Sequence, residues 1–404
     1  RWTDFAPYDE SAWRRLLFLL DVAGDRAEAL RCFETLAARL EEDLDIEPSP
    51  ETVSLAASIR DRATRGAIPD EAEFPPASTL IVVAVRPVEN RTGDPRQEAL
   101  CLRLGDRLVE GLSELDAQQG IAARLQAVNL SMSTYLAGSE ISRFNDAPAG
   151  THFKASPGFY EVLSAALALG RQSAGAYDVT VGPLVELWGF GPSARPDAVP
   201  DASAIADLKR NVGQDKLRLD GETRKVQKLA DLRLDFSSLA KGYAVDQVAM
   251  WLQEQGIDRY LVEVGGEMRL AGMSGRGDAW RVAIEQPELG ARSIAAAIAL
   301  TDASIATSGD YRNFFEVDGV RYSHTIDPRT GYPVAHELVS VTVVHPSAML
   351  ADGWATALSA LGPEAAQTVA EKQGLAVYFI QRDGEEYSHR HTAAFQPYLP
   401  AGAE

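Results

Sequence analysis

Two polar segments near the C-terminal end of the 404-residue sequence carry residue types suited to a phosphate ester. Ser323-His-Thr-Ile-Asp-Pro-Arg-Thr-Gly-Tyr-Pro333 sets a histidine, an acid, two prolines and a glycine into one turn. Ala351-Asp-Gly-Trp-Ala-Thr-Ala-Leu358 follows about a strand later and predicts a helix start. Asp352 and Thr356, four residues apart, would then aim their oxygens along one face of its first turn. Oxygen donors with no cysteine nearby suit a hard metal ion, and a helix start suits a phosphate.

A second block is Arg233-Leu-Asp-Phe-Ser-Ser-Leu-Ala-Lys-Gly-Tyr-Ala-Val-Asp246. A strand ends at Asp235 and a helix opens within three residues, so Asp235, Ser238 and Lys241 follow one side of its start. Singly, they are a cap, a polar first turn and a solvated lysine. Together they read as a helix start that handles a phosphate or nucleotide, with Lys241 available for charge pairing. In Gly175-Ala-Tyr-Asp-Val-Thr-Val-Gly-Pro183, Gly175 permits a tight approach, Tyr177 offers an aromatic face and Asp178 can accept from a heterocycle edge. Its simpler reading is a turn leading into a strand.

Other chemistries fit less well. Ser238-Leu-Ala-Lys241, Tyr311-Arg-Asn313 and Arg329-Thr-Gly331 approximate the three signatures of penicillin-recognising serine enzymes. Asp327-Pro328 and Tyr332-Pro333 force a turn where the third signature needs a strand. A Ser-His-Asp hydrolase lacks its Gly-x-Ser-x-Gly elbow. His152, His336, His345, His389 and His391 have no spacing that suggests zinc. His324 stands apart because of its turn, where it could serve as a base or simply stabilise the turn by a hydrogen bond.

These segments need positioning elements. Residues 1–65 read as helical, with Ala29, Leu30, Phe33, Leu36, Leu40 and Leu44 at helical spacing, and the acidic, proline-bearing stretch 66–78 as a linker. Residues 79–117 read as a connector: a strand over Leu80–Val88, a turn over Glu89–Pro95 and a helix from Glu98 to about Leu115. Further on, Ala122–Ser131 and Phe159–Ser173 predict helices, Ser139–Asn145 a polar turn and Arg195–Pro200 a loop. Val226–Phe236 predicts a strand pair leading into a helix over Ser238–Gln255. Tyr260–Val264, Trp280–Ile284, Ala295–Leu300 and Val339–Val344 predict strands. Strands mixed with helices and irregular turns imply an α+β domain.

The length implies more than one domain, and a 46% hydrophobic, 24% charged composition is that of a globular protein. A net charge of −19 argues against a nucleic-acid partner. Cys32 and Cys101 form neither a metal spacing nor a disulfide framework. No apolar run reaches the ~20 residues that span a bilayer. The chain opens on Arg1 with no signal peptide or lipid-attachment cysteine, which by itself implies a cytoplasmic location.

The motifs occur together in a known order. Ser131-Met-Ser-Thr-Tyr135 with Ser139-Glu-Ile-Ser-Arg-Phe-Asn145 comes first, then the Gly175 and Asp235 blocks. Val264-Gly-Gly-Glu267, Thr307-Ser-Gly-Asp310, His324-Thr-Ile-Asp-Pro-Arg-Thr-Gly331 and Asp352-Gly-Trp-Ala-Thr-Ala-Leu358 follow. Over residues 118–397 this order resembles the ApbE-like FAD:protein FMN transferases. The resemblance implies that residues 118–404 form an α+β flavin transferase domain lacking the usual first strand. It also implies cleavage of FAD with Mg²⁺, attachment of FMN through a phosphoester to a Thr or Ser of a target flavoprotein, and release of AMP. Tyr135, Ala176, Tyr177, Asp178, Asp235, Lys241 and Ile326 fall at flavin-dinucleotide positions. Ser238, Asp352 and Thr356 fall at metal positions, and His324 would take the acceptor proton. Relatives usually work in the periplasm or as membrane-anchored lipoproteins. Residues 1–65 resemble the helical-repeat activation domain of bacterial transcriptional regulators, so a non-catalytic FAD-binding or regulatory fusion is the alternative.

Overall fold

Runs of Val, Ile, Leu and Phe at period two, such as Leu338–His345 and Ala376–Asp383, have an apolar side chain for each face of a sheet. They build the centre of the fold in the computed structural model. It describes residues 26–44, 48–65, 81–87, 100–104, 114–192, 198–274, 277–287, 293–309, 314–317, 320–384 and 386–400, with Glu10, Trp13, Arg14 and Leu17.

Among the described residues the first complete elements are a helical pair, α1 (Arg26–Leu44) and α2 (Pro50–Arg65), closed by Leu17, Ala29 and Ile59. Then come β1 (Ile81–Pro87), β2 (Leu100–Leu104), α3 (Glu114–Met132), α4 (Glu140–Asp146), β3 (His152–Lys154) and α5 (Pro157–Gln172). The middle holds α6 (Gly182–Leu187), α7 (Ala202–Lys209), β4 (Leu217–Asp220), β5 (Lys225–Lys228) and α8 (Ser237–Glu254). Seven strands follow: β6 (Tyr260–Val264), β7 (Glu267–Ala271), β8 (Trp280–Glu285), β9 (Ile294–Leu300), β10 (Ala303–Gly309), β11 (Phe314–Val317) and β12 (Val320–Ser323). The chain continues through β13 (Ile326–Asp327), β14 (Tyr332–Pro333), β15 (Leu338–His345), α9 (Ala348–Leu361), α10 (Pro363–Gln373), β16 (Ala376–Asp383) and β17 (Glu386–His391).

Eight strands form the main sheet in the order β17-β16-β15-β10-β7-β6-β1-β2. Helices α8 and α9 cover one face, where Val262, Val264, Val341, Val343, Val377 and Phe379 are buried. Burying a side chain of this size contributes about 1.5–3 kcal/mol. The alternate residues Leu261, Tyr378 and Ile380 face the other way, against the β8–β9 hairpin and Phe395. The result is the expected α+β arrangement. No helix among the described residues is long and apolar enough to cross a membrane.

Strand β1 pairs with β6 in parallel, with Val83 opposite Val262, while its other neighbour β2 is antiparallel. The residues assigned to a connector therefore extend the same sheet as β6, β7 and β10. The helix expected over Glu98–Leu115 is corrected: Leu100–Leu104 is a strand and the helix opens at Glu114. Leu100, Leu102 and Leu104 repeat at period two, which fits a strand paired to β1.

The turn expected over Ser139–Asn145 is instead helix α4, because Ser139 accepts from the Ser142 amide as an N-cap. The strand pair expected over Val226–Phe236 lies earlier, as β4 and β5. Asp220 closes the intervening turn by accepting from the Glu222 and Thr223 amides. The linker 66–78, the turn Glu89–Pro95, Tyr311–Asn313, Asp310 and part of the Arg195–Pro200 loop lie outside the described residues.

Candidate active site

The site forms where helices α8 and α9 cross. Gly242 permits the crossing: a Cβ there would lie 2.2 Å from the Ala348 carbonyl oxygen. Farther along α8, Asp246 accepts from the Ala348 and Met349 amides at 3.0 Å each and from Ser347 Oγ at 2.7 Å. It thus caps α9 from outside that helix, and Arg269 Nη1 at 2.7 Å balances its charge. Helix α9 opens at Ala348, so Asp352 sits one turn inside it and not at its start, as the sequence suggested.

Asp352 is buried, and its Oδ2 accepts from the Gly242 amide at 3.3 Å and lies 3.6 Å from Lys241 Nζ. Lys241 Nζ also lies 2.5 Å from Glu267 Oε1. Burial would depress the lysine pKa, but Asp352 and Glu267 more than offset it and hold it above the ordinary value. Burial pushes Glu267 up to about 7, opposed by Lys241 and reinforced by Asp352. Burial also raises Asp352, with Lys241 opposing. Thr356 is half-buried one turn further along α9.

A second wall comes from the turn after α5. Ala174 and Gly175 take positive φ values of 52° and 82°, reversing the chain. Ser173 Oγ then accepts from the Tyr177 amide. Ala176 and Tyr177 are buried, and Tyr177 Oη lies 2.8 Å from Ser238 Oγ in the first turn of α8. Burial raises the Tyr177 pKa; Ser238 opposes the shift, while Asp352, Asp235 and Asp178 reinforce it. Tyr177 therefore keeps its proton and meets Ser238 as one hydroxyl against another.

Asp235 accepts from the Ser237 amide at 2.7 Å, and its own amide donates to Val179 O, tying this wall to α8. Asp178 is engaged locally: it accepts from Thr180 N, Thr180 Oγ1 and Gln214 N. Burial still raises its pKa against those bonds.

The histidine turn is held from two sides. Asp327 O accepts from Gly331 N at 2.7 Å, with Gly331 at a φ of 84°. Trp188 Nε1 donates to Gly331 O at 2.9 Å. Arg329 grips Asp327 with two nitrogens, at 2.9 and 3.0 Å, and donates to Ala360 O of α9. His324 is half-buried, its ring edge-on to Phe190 with centroids 6.3 Å apart. Ile326 is buried among Leu184, Trp188, Ile205 and Phe315. Tyr135 is half-buried in the turn between α3 and α4.

The structure thus brings Tyr177 to Ser238 and Lys241 to Asp352, with Ser238 and Lys241 one turn apart on α8. Glu267 and Asp246 were not singled out from sequence. The signal for Glu267 was Gly265-Gly266, a two-residue hairpin turn that presents the next residue at the sheet's end. Asp246 offered no local signal, because the hydroxyl and amides it accepts from lie about a hundred residues away.

This fold is shared with solved flavin transferases. The structure titled Flavin Transferase ApbE from Vibrio cholerae matches with a TM-score of 0.68 at 42% identity, covering 74% of this chain and 94% of that one. The apo flavinyl transferase ApbE of Pseudomonas stutzeri matches with a TM-score of 0.67 at 40% identity, covering 75% and 93%. A Vibrio cholerae protein named FAD:protein FMN transferase is 45% identical over 282 residues, 70% of this chain and 84% of its own length. The ApbE family matches residues 99–379, and the bacterial transcriptional activator domain matches residues 1–60. The chain belongs to the ApbE family.

Proposed function

We propose that this protein is an FAD:protein FMN transferase, with the site at the crossing of α8 and α9. The observation that carries the reading is Lys241 Nζ, which lies between the buried carboxylates of Asp352 and Glu267 beside the Tyr177–Ser238 pair. Tyr135, Ala176, Tyr177, Asp178, Asp235, Lys241 and Ile326 bind FAD. Tyr177 supplies an aromatic face and Lys241 a positive charge for the pyrophosphate. Ile326 contributes through its main chain, since its side chain is committed to an apolar cluster.

The residues present fit Mg²⁺. Among the described residues, no three His, Cys, Asp or Glu side chains form a metal cage. Mg²⁺ is commonly held by one or two carboxylates together with waters and substrate phosphates. Asp352, the Thr356 hydroxyl and an oxygen of Ser238 give an all-oxygen set of that kind, and the neighbouring Glu267 Oε2 is buried without a partner. When bound, Mg²⁺ neutralises pyrophosphate charge.

The acceptor hydroxyl of a target flavoprotein attacks the phosphorus on the flavin side of FAD. Its O–P bond forms as the bond to the bridging oxygen breaks, AMP leaves, and the hydroxyl proton passes to His324. We place the helical segment 1–65 outside this chemistry, as a partner-binding module. The connector 79–117 contributes the sheet's β1 and β2, and 118–404 holds the site.

Incubation with FAD, Mg²⁺ and a flavoprotein bearing an acceptor Thr or Ser should give an adduct of FMN mass and free AMP. Asp352→Ala should give neither. Bound FAD with no transfer and no hydrolysis would instead favour a non-catalytic flavin-binding protein.

A further inference from the structure

Glu267 is held with unusual definition for a residue outside the expected site. It opens β7 directly after Gly265 and Gly266, whose φ values of 66° and 108° make a hairpin turn, with Val264 and Glu267 paired across it. The side chain is 4% exposed. Oε1 meets Lys241 Nζ at 2.5 Å, and Oε2 is buried with no hydrogen-bond partner. Burying a carboxylate oxygen unpaired is costly, so the fold accepts that cost for a purpose.

The purpose follows from the charges around Lys241. Two buried carboxylates share one ammonium, which lies closer to Glu267 than to Asp352, at 2.5 against 3.6 Å. Were Glu267 uncharged, Asp352 would be the remaining carboxylate for the ammonium, and the side chain needs to move only about an ångström to form a full ion pair. Such a pair would occupy the oxygen a divalent cation requires. Both carboxylates are buried, at 4% and 7% exposure, so that competition is stronger than between exposed groups.

We propose that Glu267 is a positioning residue that holds the Lys241 ammonium away from Asp352 and so keeps Asp352 available to a divalent cation. This rests on the reading of Asp352 as a metal ligand. Lys241 then remains charged and oriented toward the pyrophosphate without competing for the metal.

The test uses the full-length protein without FAD and Mn²⁺ as the probe, with free Mn²⁺ followed by electron paramagnetic resonance. Glu267→Gln, which keeps the shape and removes the charge, should weaken Mn²⁺ binding about tenfold, a difference a single charged contact can supply. Adding Lys241→Met to that variant removes the competitor and should restore binding to near the wild-type level. Glu267→Asp should bind nearly as wild type does.

Unchanged binding in Glu267→Gln overturns the proposal. So does a loss that persists in the double variant, which would make Glu267 itself a ligand. If Glu267→Gln fails to fold by circular dichroism, Lys241→Met alone decides: it should bind Mn²⁺ at least as tightly as wild type, and weaker binding overturns the proposal. Asp352→Ala separates the two readings. Retained Mn²⁺ binding there refutes the metal assignment, whereas lost binding there with an unaffected Glu267→Gln refutes the positioning role alone.

Discussion

Gly242 lies against the main chain of Ala348 so closely that a single added methyl group would sit 2.2 Å from its carbonyl oxygen and 2.7 Å from the Met349 Cα. The contact sets the distance between α8 and α9, and with it the distance from Lys241 to Asp352. Both obstructing groups are backbone, which cannot swing aside. Gly242→Ala should therefore destabilise the protein by about 1–3 kcal/mol despite the better helix propensity of alanine. Transfer should fall further than stability explains, because the Asp352 carboxylate shifts with its helix. Chemical denaturation and initial rates on the same preparation check both expectations.

The cap that Asp246 places on α9 is a second fixed point. One carboxylate serves two amides, a hydroxyl and a guanidinium, and it is 7% exposed. Asp246→Ala leaves Arg269 without this partner and removes the acceptors of the Ala348 and Met349 amides. The expected loss is about 3–5 kcal/mol, as for breaking a buried pair by removing one member. Asp246→Asn retains acceptor capacity and should lose less. Thermal unfolding of the two variants gives the ranking.

Acid should loosen the same helix start through His345. Its Nδ1 accepts from the amide of Ser347, the N-cap of α9, at 3.0 Å. Burial pushes the imidazole pKa below its ordinary value, against the opposing influence of Ser347 and Asp246. The folded state thus binds this proton less readily than the unfolded chain does. Stability from this residue is present above the unfolded pKa near 6.5 and is lost as pH falls through the folded one. Asp246, Ser347 and Ser304 are the polar groups facing it from α8, α9 and β10. Denaturant midpoints of wild type and His345→Gln should converge as pH drops from 7 toward 5. Parallel curves would show that His345 does not titrate on folding.

Much of this site was legible in the sequence where the signal was local. The Asp235–Lys241 helix start, the Gly175 reversal and the Asp327–Gly331 turn all appear where their residues implied. Misreadings occurred where long-range pairing overrode local pattern. Leu100–Leu104 is a strand because β1 lies beside it, and Asp352 lies inside α9 because Ser347, four residues before Ala351, caps it. Glu267 was visible within its Gly-Gly motif, but its meaning depends on Lys241 from another element.

The strand beside β6 yields a prediction about the front of the chain. Ile81–Val85 pairs in parallel with Tyr260–Val264, whose strand leads into the turn carrying Glu267. Removing residues 1–65 should leave FMN transfer intact, since the helical pair has its own apolar cluster. Removing residues 1–104 exposes the β6 edge and should lower both stability and solubility. Melting curves and transfer rates of the two truncations distinguish a separable front end from one that supports the site.

The last prediction concerns how the histidine turn acts on the acceptor. His324 is fixed between β12 and β13, with Phe190 edge-on to its ring. The turn behind it is tied by Trp188 to Gly331 and by Arg329 to α9, the helix of Asp352 and Thr356. A base that acts only on the acceptor hydroxyl contributes to the chemical step and not to FAD binding. His324→Ala should lower kcat by about 10²–10⁴-fold, the range for a positioned general base, while FAD binding stays within a few-fold of wild type. Arg329→Ala should produce a weaker version of the same pattern, because it releases the turn without removing the base. A His324→Ala enzyme that bound FAD poorly but transferred FMN at the wild-type rate when saturated would assign the residue to binding.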